Sequence, residues 1–200
     1  MSYISMALFL MTTLILQAPA AQAVPLTFVG HLNSAEENNP ADTSTATGLA
    51  TIILDPAAQT IQVNATFSGL TSNDVAAHIH CCAPLGTNAG VATTVPAFPG
   101  FPLGVTSGTY SSVVFDLTQS TIYNPGFITL QGNSLPQAEA ALINGIENGL
   151  TYLNIHTVNF PAGEIRAQLF PAPEPSSLVL LGSALLGLGL ARWRKTATRS

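Results

Sequence analysis

Thr60-Ile61-Gln62-Val63-Asn64-Ala65-Thr66-Phe67 alternates without a break. Ile61, Val63, Ala65 and Phe67 point one way, and Gln62, Asn64 and Thr66 the other. Side chains of an extended chain change face at every residue, so this run predicts a strand with one buried face. Just before it, Asp55-Pro56-Ala57-Ala58-Gln59 reads as a turn, with proline where its fixed φ fits. Before the turn, residues 48–54 place Ala50, Ile52 and Leu54 on one face. The two runs together predict a β-hairpin.

The same reading extends in both directions. Residues 26–32 form a first strand, and residues 36–47 a polar, acidic loop containing Pro40. Residues 75–80 form a strand that ends near Pro84 and Gly86. Residues 83–108 are rich in Gly, Pro and Thr, with Phe98 and Phe101 among them; a loop this long is functional or packs as a covering flap. Residues 110–117 predict another strand, and Asn124-Pro125-Gly126 a turn. One helix is expected over residues 135–148, with Ser134 as N-cap, Pro136 in the first turn, Ala138, Leu142 and Ile146 at helical spacing, and Gly149 just past the end. Residues 150–156 and 163–170 complete the strands. Short strands, turn residues between them and a single helix indicate a mostly β fold, an antiparallel sandwich or barrel.

Composition excludes some functions. Only 8% of the 200 residues are charged, against about 25% in an average globular protein. Nine of the ten acids lie between residues 24 and 170, and Arg166 is the only Lys or Arg in that region. A surface that neutralises phosphates is absent, which argues against nucleic-acid binding. No serine sits in a nucleophile-elbow motif, and the adjacent Glu36 and Glu37 read as a solvated loop pair. No catalytic residue is assigned, and the chain is read as a non-enzyme.

The segment that can carry chemistry is Ala77-His78-Ile79-His80-Cys81-Cys82, which holds two of the four histidines and both cysteines. His78 and His80 share a strand face. With His156 from another strand they can form a three-imidazole site, and neutral imidazole suits copper or zinc. The other reading is a hydrogen-bonded cluster at a strand end. Cys81 and Cys82 have three readings: a vicinal disulfide, thiol ligands for a soft metal, or links to other chains. Neighbouring residues on a strand point to opposite faces, so both cysteines can join the imidazoles only if the strand ends there.

The termini are separate units. Residues 1–23 read as a signal peptide, with an apolar run over 4–16 and Ala21-Gln22-Ala23 in the small-x-small form that signal peptidase cuts. The compartment beyond is oxidising. The folded domain then spans residues 24–170. Residues 171–200 contain a Pro171-Ala172-Pro173-Glu174-Pro175 linker, an uncharged apolar run over 176–190, and then Arg192, Trp193, Arg194 and Lys195. The run predicts a single transmembrane helix, on the short side, with its basic flank cytoplasmic.

Two resemblances follow from these residues. Residues 28–38, Ala77-His78-Ile79-His80, and Tyr152-Leu153-Asn154-Ile155-His156-Thr157 followed by residues 161–169 resemble the chordin-type CHRD domain. The resemblance implies an extracellular, immunoglobulin-like β fold and no established enzymatic activity. Cys81-Cys82 departs from the Gly-containing segment expected there. Pro173-Glu174-Pro175, the apolar run and Arg192, Arg194 and Lys195 look like a PEP-CTERM sorting signal. That implies a Gram-negative bacterium, transient residence in the inner membrane, and cleavage by an exosortase. It also implies a role at the cell surface or in the matrix, with extracellular polysaccharide or a surface protein as partner. An H-x-H pair on a β-sandwich also resembles copper–zinc superoxide dismutase, but the other ligands of that enzyme lack clear counterparts here, with only His31 left over.

Overall fold

The computed structural model describes residues 24–39, 43–173, 181–186 and 188. The expected hairpin is its longest ladder. β2 (Thr47–Asp55) and β3 (Thr60–Ser68) pair from Thr47 against Ser68 to Asp55 against Thr60. Asp55 closes the turn, its Oδ1 accepting from the backbone N–H of Ala57 and Ala58 at 3.0 and 2.8 Å. Ile61, Val63, Ala65 and Phe67 are buried, together with Ala50, Ile52 and Leu54 opposite them.

β1 (Leu26–Asn33) runs antiparallel to β2 along its whole length. It is also the seam of the fold. On its other side Asn33 pairs with Arg166 of β9 (Ile165–Gln168), and Phe28 and Val29 pair with β10 (Phe170–Pro171). β9 pairs with β8 (Thr151–Thr157), β8 with β4 (Asp74–Cys81), and β4 with the short β5 (Gly90–Val91). At the far edge β3 pairs with β6 (Gly108–Ser111) and β7 (Phe115–Asp116).

All ten strands of the described residues therefore belong to one antiparallel sheet: of the expected antiparallel sandwich or barrel, the mostly β antiparallel class holds, and the form is a single curled sheet. The sheet curls, so that Phe28, Ile52, Val63 and Phe67 from one half join Ile79, Leu153, Ile155, Ala167 and Leu169 from the other in a single apolar core. It remains open, since the path runs from β5 to β6 without closing. Each large aliphatic or aromatic side chain buried this way contributes about 1.5–3 kcal/mol.

Two helices accompany the sheet rather than one. The Asn-Pro-Gly turn opens α1 (Pro125–Leu130), capped by Asn124 Oδ1, which accepts from Gly126 N at 2.9 Å. α2 (Leu135–Glu147) is the expected helix, capped by Ser134 and buried along Ala138, Leu142 and Ile146. The strand expected over residues 110–117 is interrupted: Ser112 turns its hydroxyl inward to accept from Val63 N at 2.9 Å, leaving two short pieces. The long loop is a covering flap in part. Phe98 and Phe101 are buried, with Phe101 stacked 5.7 Å from Phe67 and Phe98 5.9 Å from Phe115.

The expected signal peptide, residues 1–23, falls outside the described residues, as does most of the C-terminal segment. Residues 181–186 are helical, and among the described residues no helix is long and apolar enough to cross a membrane.

Gly30 sits where β1 passes closest to β9. A Cβ there would overlap the carbonyl oxygen of Gln168 and lie 2.9 Å from Ala167 Cβ. Gly30→Ala should therefore lower stability by about 2–3 kcal/mol, read as a lower urea midpoint. Leu49→Ala, on the exposed face of the neighbouring strand, should shift it by less than about 0.5 kcal/mol. Equal effects from the two would refute the close approach at the seam.

Candidate functional site

β8, β9 and β4 from Ala77 onward differ from the rest of the sheet because both of their faces are buried. The inner face is apolar: Ala77 and Ile79 on β4, Leu153 and Ile155 on β8, Ile165 and Ala167 on β9. The register sets Ala76 against His156, His78 against Asn154, and His80 against Tyr152. On the other side of β8, Asn154 faces Arg166 and Tyr152 faces Gln168. Because strand side chains alternate, these polar residues share the outer face.

Loops seal that face. Ala89 brings its carbonyl to His80 Nδ1 at 2.8 Å and donates its N–H to the Tyr152 hydroxyl at 3.1 Å. Asn88 Oδ1 accepts from the Arg166 guanidinium at 3.1 Å. Glu36 Oε2 accepts from Gln168 N at 2.8 Å, so this glutamate ties down the sheet instead of standing in solvent as expected. Arg166 is fully buried, with its guanidinium 4.6 Å from the centre of the Tyr152 ring.

The three histidines meet in this layer and are only 5–8% exposed. His78 lies 4.8 Å from His80 and 4.6 Å from His156, ring centre to ring centre. One ligand nitrogen from each falls within 4.8 Å of the others. His80 and His156 are held by backbone carbonyls at Nδ1, Ala89 at 2.8 Å and Pro161 at 3.0 Å. A carbonyl only accepts, so Nδ1 carries the proton in both rings and Nε2 carries a lone pair. Those Nε2 atoms, and His78 Nδ1, are buried with no hydrogen-bond partner. Asn154 Oδ1, Gln168 Oε1 and Arg166 Nε and Nη2, on the same face, are also buried and unpartnered. Leaving such a group unsatisfied costs about 1–3 kcal/mol. Their concentration on one face makes this layer the candidate site.

Burial keeps the imidazoles neutral. It pushes His78 down to about 3, with the charges of His156 and His80 adding to the effect. It pushes His80 down to about 4, opposed by the Ala89 carbonyl and reinforced by His156 and Arg166. His156 is lowered by burial too, with the Pro161 carbonyl opposing. Three neutral rings with converging lone pairs are a donor set for a late transition metal.

Cys81 and Cys82 are not brought to the imidazoles. They form a vicinal disulfide. Both sulfurs approach the Ala141 carbonyl of α2, at 3.7 and 3.5 Å, on the opposite side of β4 from His80. A Cβ at Gly145 of the same helix would lie 2.5 Å from Cys81 Sγ, so this glycine makes room for the pair. His31 stands exposed on β1, outside the cluster. Of the sorting residues, Pro173 is described, whereas Glu174, Pro175, Arg192, Arg194 and Lys195 lie outside the described residues.

Sequence reasoning missed Ala89, Pro161 and Glu164. A backbone carbonyl carries no residue signature, so the first two could not have been read. Glu164 had only its place in an alternating strand. It is completely buried and gathers four donors: Ser44 Oγ at 2.7 Å, Thr71 N at 2.8 Å, Thr71 Oγ1 at 2.9 Å and Thr157 Oγ1 at 2.6 Å. It binds the loops before β2 and β4 to the end of β8.

The family model for the CHRD domain matches residues 28–169, and that for the PEP-CTERM protein-sorting motif matches residues 171–195. No curated protein and no solved structure matches the chain.

Two predictions follow from the polar layer. Histidines of the unfolded chain take up protons near pH 6.5, whereas His78 and His80 resist until about pH 3–4. Between those limits the unfolded state binds more protons, so stability falls as pH falls. In a chelating buffer the drop from pH 7.5 to 5.5 should be about 1 kcal/mol for each of these two rings. A His78→Gln/His80→Gln variant should show a flatter urea-midpoint profile; an unchanged slope would mean the rings are hydrated. Separately, Glu164→Ala should cost about 3 kcal/mol or more by stranding four donors, and a midpoint within error of the parent would contradict the network.

Proposed function

The chain belongs to the CHRD family, whose domain occupies residues 28–169, and on that premise we propose that it is an exported binding protein whose folded domain works at the cell surface. The PEP-CTERM motif implies export to the cell envelope or surface and processing by an exosortase. The observation that carries the reading is the junction between the two units. β10 ends at Pro171, where the sorting motif begins. Every strand of the sheet lies between Leu26 and Pro171, so cutting the chain near Pro173-Glu174-Pro175 removes no strand and leaves the core intact.

The apolar run over residues 176–190 then serves as a temporary membrane hold, kept in place by Arg192, Arg194 and Lys195 on the cytoplasmic side. The linker carries proline at 171, 173 and 175, a residue that disfavours a helix interior. The mature protein starts near Val24, after signal peptidase. The role assigned to the domain is binding, supported by the outer polar face with its unpartnered buried atoms. Extracellular polysaccharide or another surface protein is the partner this location offers.

Replacing Glu174 with Ala, or deleting residues 192–195, should leave full-length precursor in the inner membrane, seen as a larger band in the membrane fraction. The parent chain should be shortened and recovered at the surface or outside the cell. Normal shortening of both variants would overturn the sorting reading.

A further inference from the structure

We propose that His78, His80 and His156 bind one divalent late transition-metal ion, copper or zinc, through His78 Nδ1, His80 Nε2 and His156 Nε2. The proposal names the ligand of the polar face and rests on the binding reading above only for where the domain works. Three independent features support it. The nitrogens come from two paired strands whose register runs unbroken over six residue pairs, from Ala76 against His156 to Cys81 against Thr151, so the cluster does not depend on a mobile loop. His80 and His156 have their second ring nitrogen fixed by a backbone carbonyl, the arrangement that orients metal-binding imidazoles and settles their tautomer. The three nitrogens left over are buried and unpartnered, and each ring brings a ligand nitrogen within 4.8 Å of the other two.

A cluster that only hydrogen-bonded to itself would have to match donors with acceptors. His80 Nε2 and His156 Nε2 are both acceptors, so neither can satisfy the other. A cation satisfies all three lone pairs together. Metal–nitrogen bonds of about 2.0–2.1 Å bring ligand nitrogens to within about 4 Å of one another. The present separations, up to 4.8 Å, then close by small ring rotations.

The donor set selects the class of ion. It is all nitrogen, with no carboxylate among the clustered ligands, which disfavours calcium and magnesium. Imidazole favours copper and zinc, and copper(II) holds the higher place in the general affinity order. Three protein ligands leave a fourth position free, as in sites where the metal meets an exogenous ligand.

The test uses the processed protein recovered from exporting cells, stripped with a chelator and titrated with copper(II) or zinc(II) alone. One equivalent should bind with a dissociation constant below about 1 µM. The copper form should show an electron paramagnetic resonance spectrum with hyperfine structure from about three nitrogens. His78→Gln, His80→Gln and His156→Gln should each weaken binding at least 100-fold, whereas His31→Gln should leave it unchanged. Circular dichroism and the urea midpoint of each metal-free variant establish that it is folded. If one variant fails to fold, the other two decide. Failure to bind either metal, or equal binding by folded triad variants, would overturn the proposal. Processing is scored in the same cells, so a failure of the sorting reading appears as precursor accumulation whatever the metal result.

Discussion

A strand buried on both sides must place every second residue in each of two interiors, and this constraint organises the molecule. In β1, β2 and β3 the pleat separates core from solvent, and the alternation of apolar and polar residues follows. In β4, β8 and β9 it separates an apolar core from a second, polar interior. Ala77, Ile79, Leu153 and Ile155 go one way. His78, His80, Asn154, Tyr152, His156 and Arg166 go the other. A shift of one residue in the β4–β8 register would exchange the two sets, placing imidazoles in the core and isoleucine among polar groups. The core therefore holds the histidine layer in register.

The second interior is closed by elements that contribute backbone more than side chains. The segment before β5 supplies the Ala89 carbonyl and amide, and the turn before β9 supplies the Pro161 carbonyl. Both carbonyls act on Nδ1 and so direct the Nε2 lone pair of each ring inward. The vicinal disulfide stands where β4 ends, on the core side, fitted against α2 at Gly145. It anchors one end of the covering segment while the pairing of β5 anchors the other. Tyr152 links the layer together: its ring stacks on His80 at 4.7 Å and underlies the Arg166 guanidinium.

Export and fold meet at one strand. β10 is only two residues long, yet its pairing with β1 closes the chain back onto the seam just before the prolines begin. The CHRD domain thus ends in hydrogen-bonded backbone, at the residue where the sorting motif begins. A cut just beyond β10 would leave every strand of this sheet and its core in place.

The alternation of residues 60–67 was enough to establish the central hairpin, because a period of two is a local property of extended backbone. Ser134, Pro136 and Gly149 marked α2 for the same local reason. The sorting motif was legible because an enzyme reads it as linear sequence. The pairing of His78 and His80 on one face was also local. Their union with His156 was anticipated, but it required the β4–β8 register, which long-range pairing sets. Only the tertiary structure decided that the strands form one curled sheet, since β1 can pair on both sides in ways no local pattern records. Only it turned the cysteines away from the imidazoles, because which face of β4 meets α2 depends on the whole core. The same holds for Glu164 and the carbonyls of Ala89 and Pro161, whose partners lie far away in sequence or on the backbone, where residue identity carries no signal.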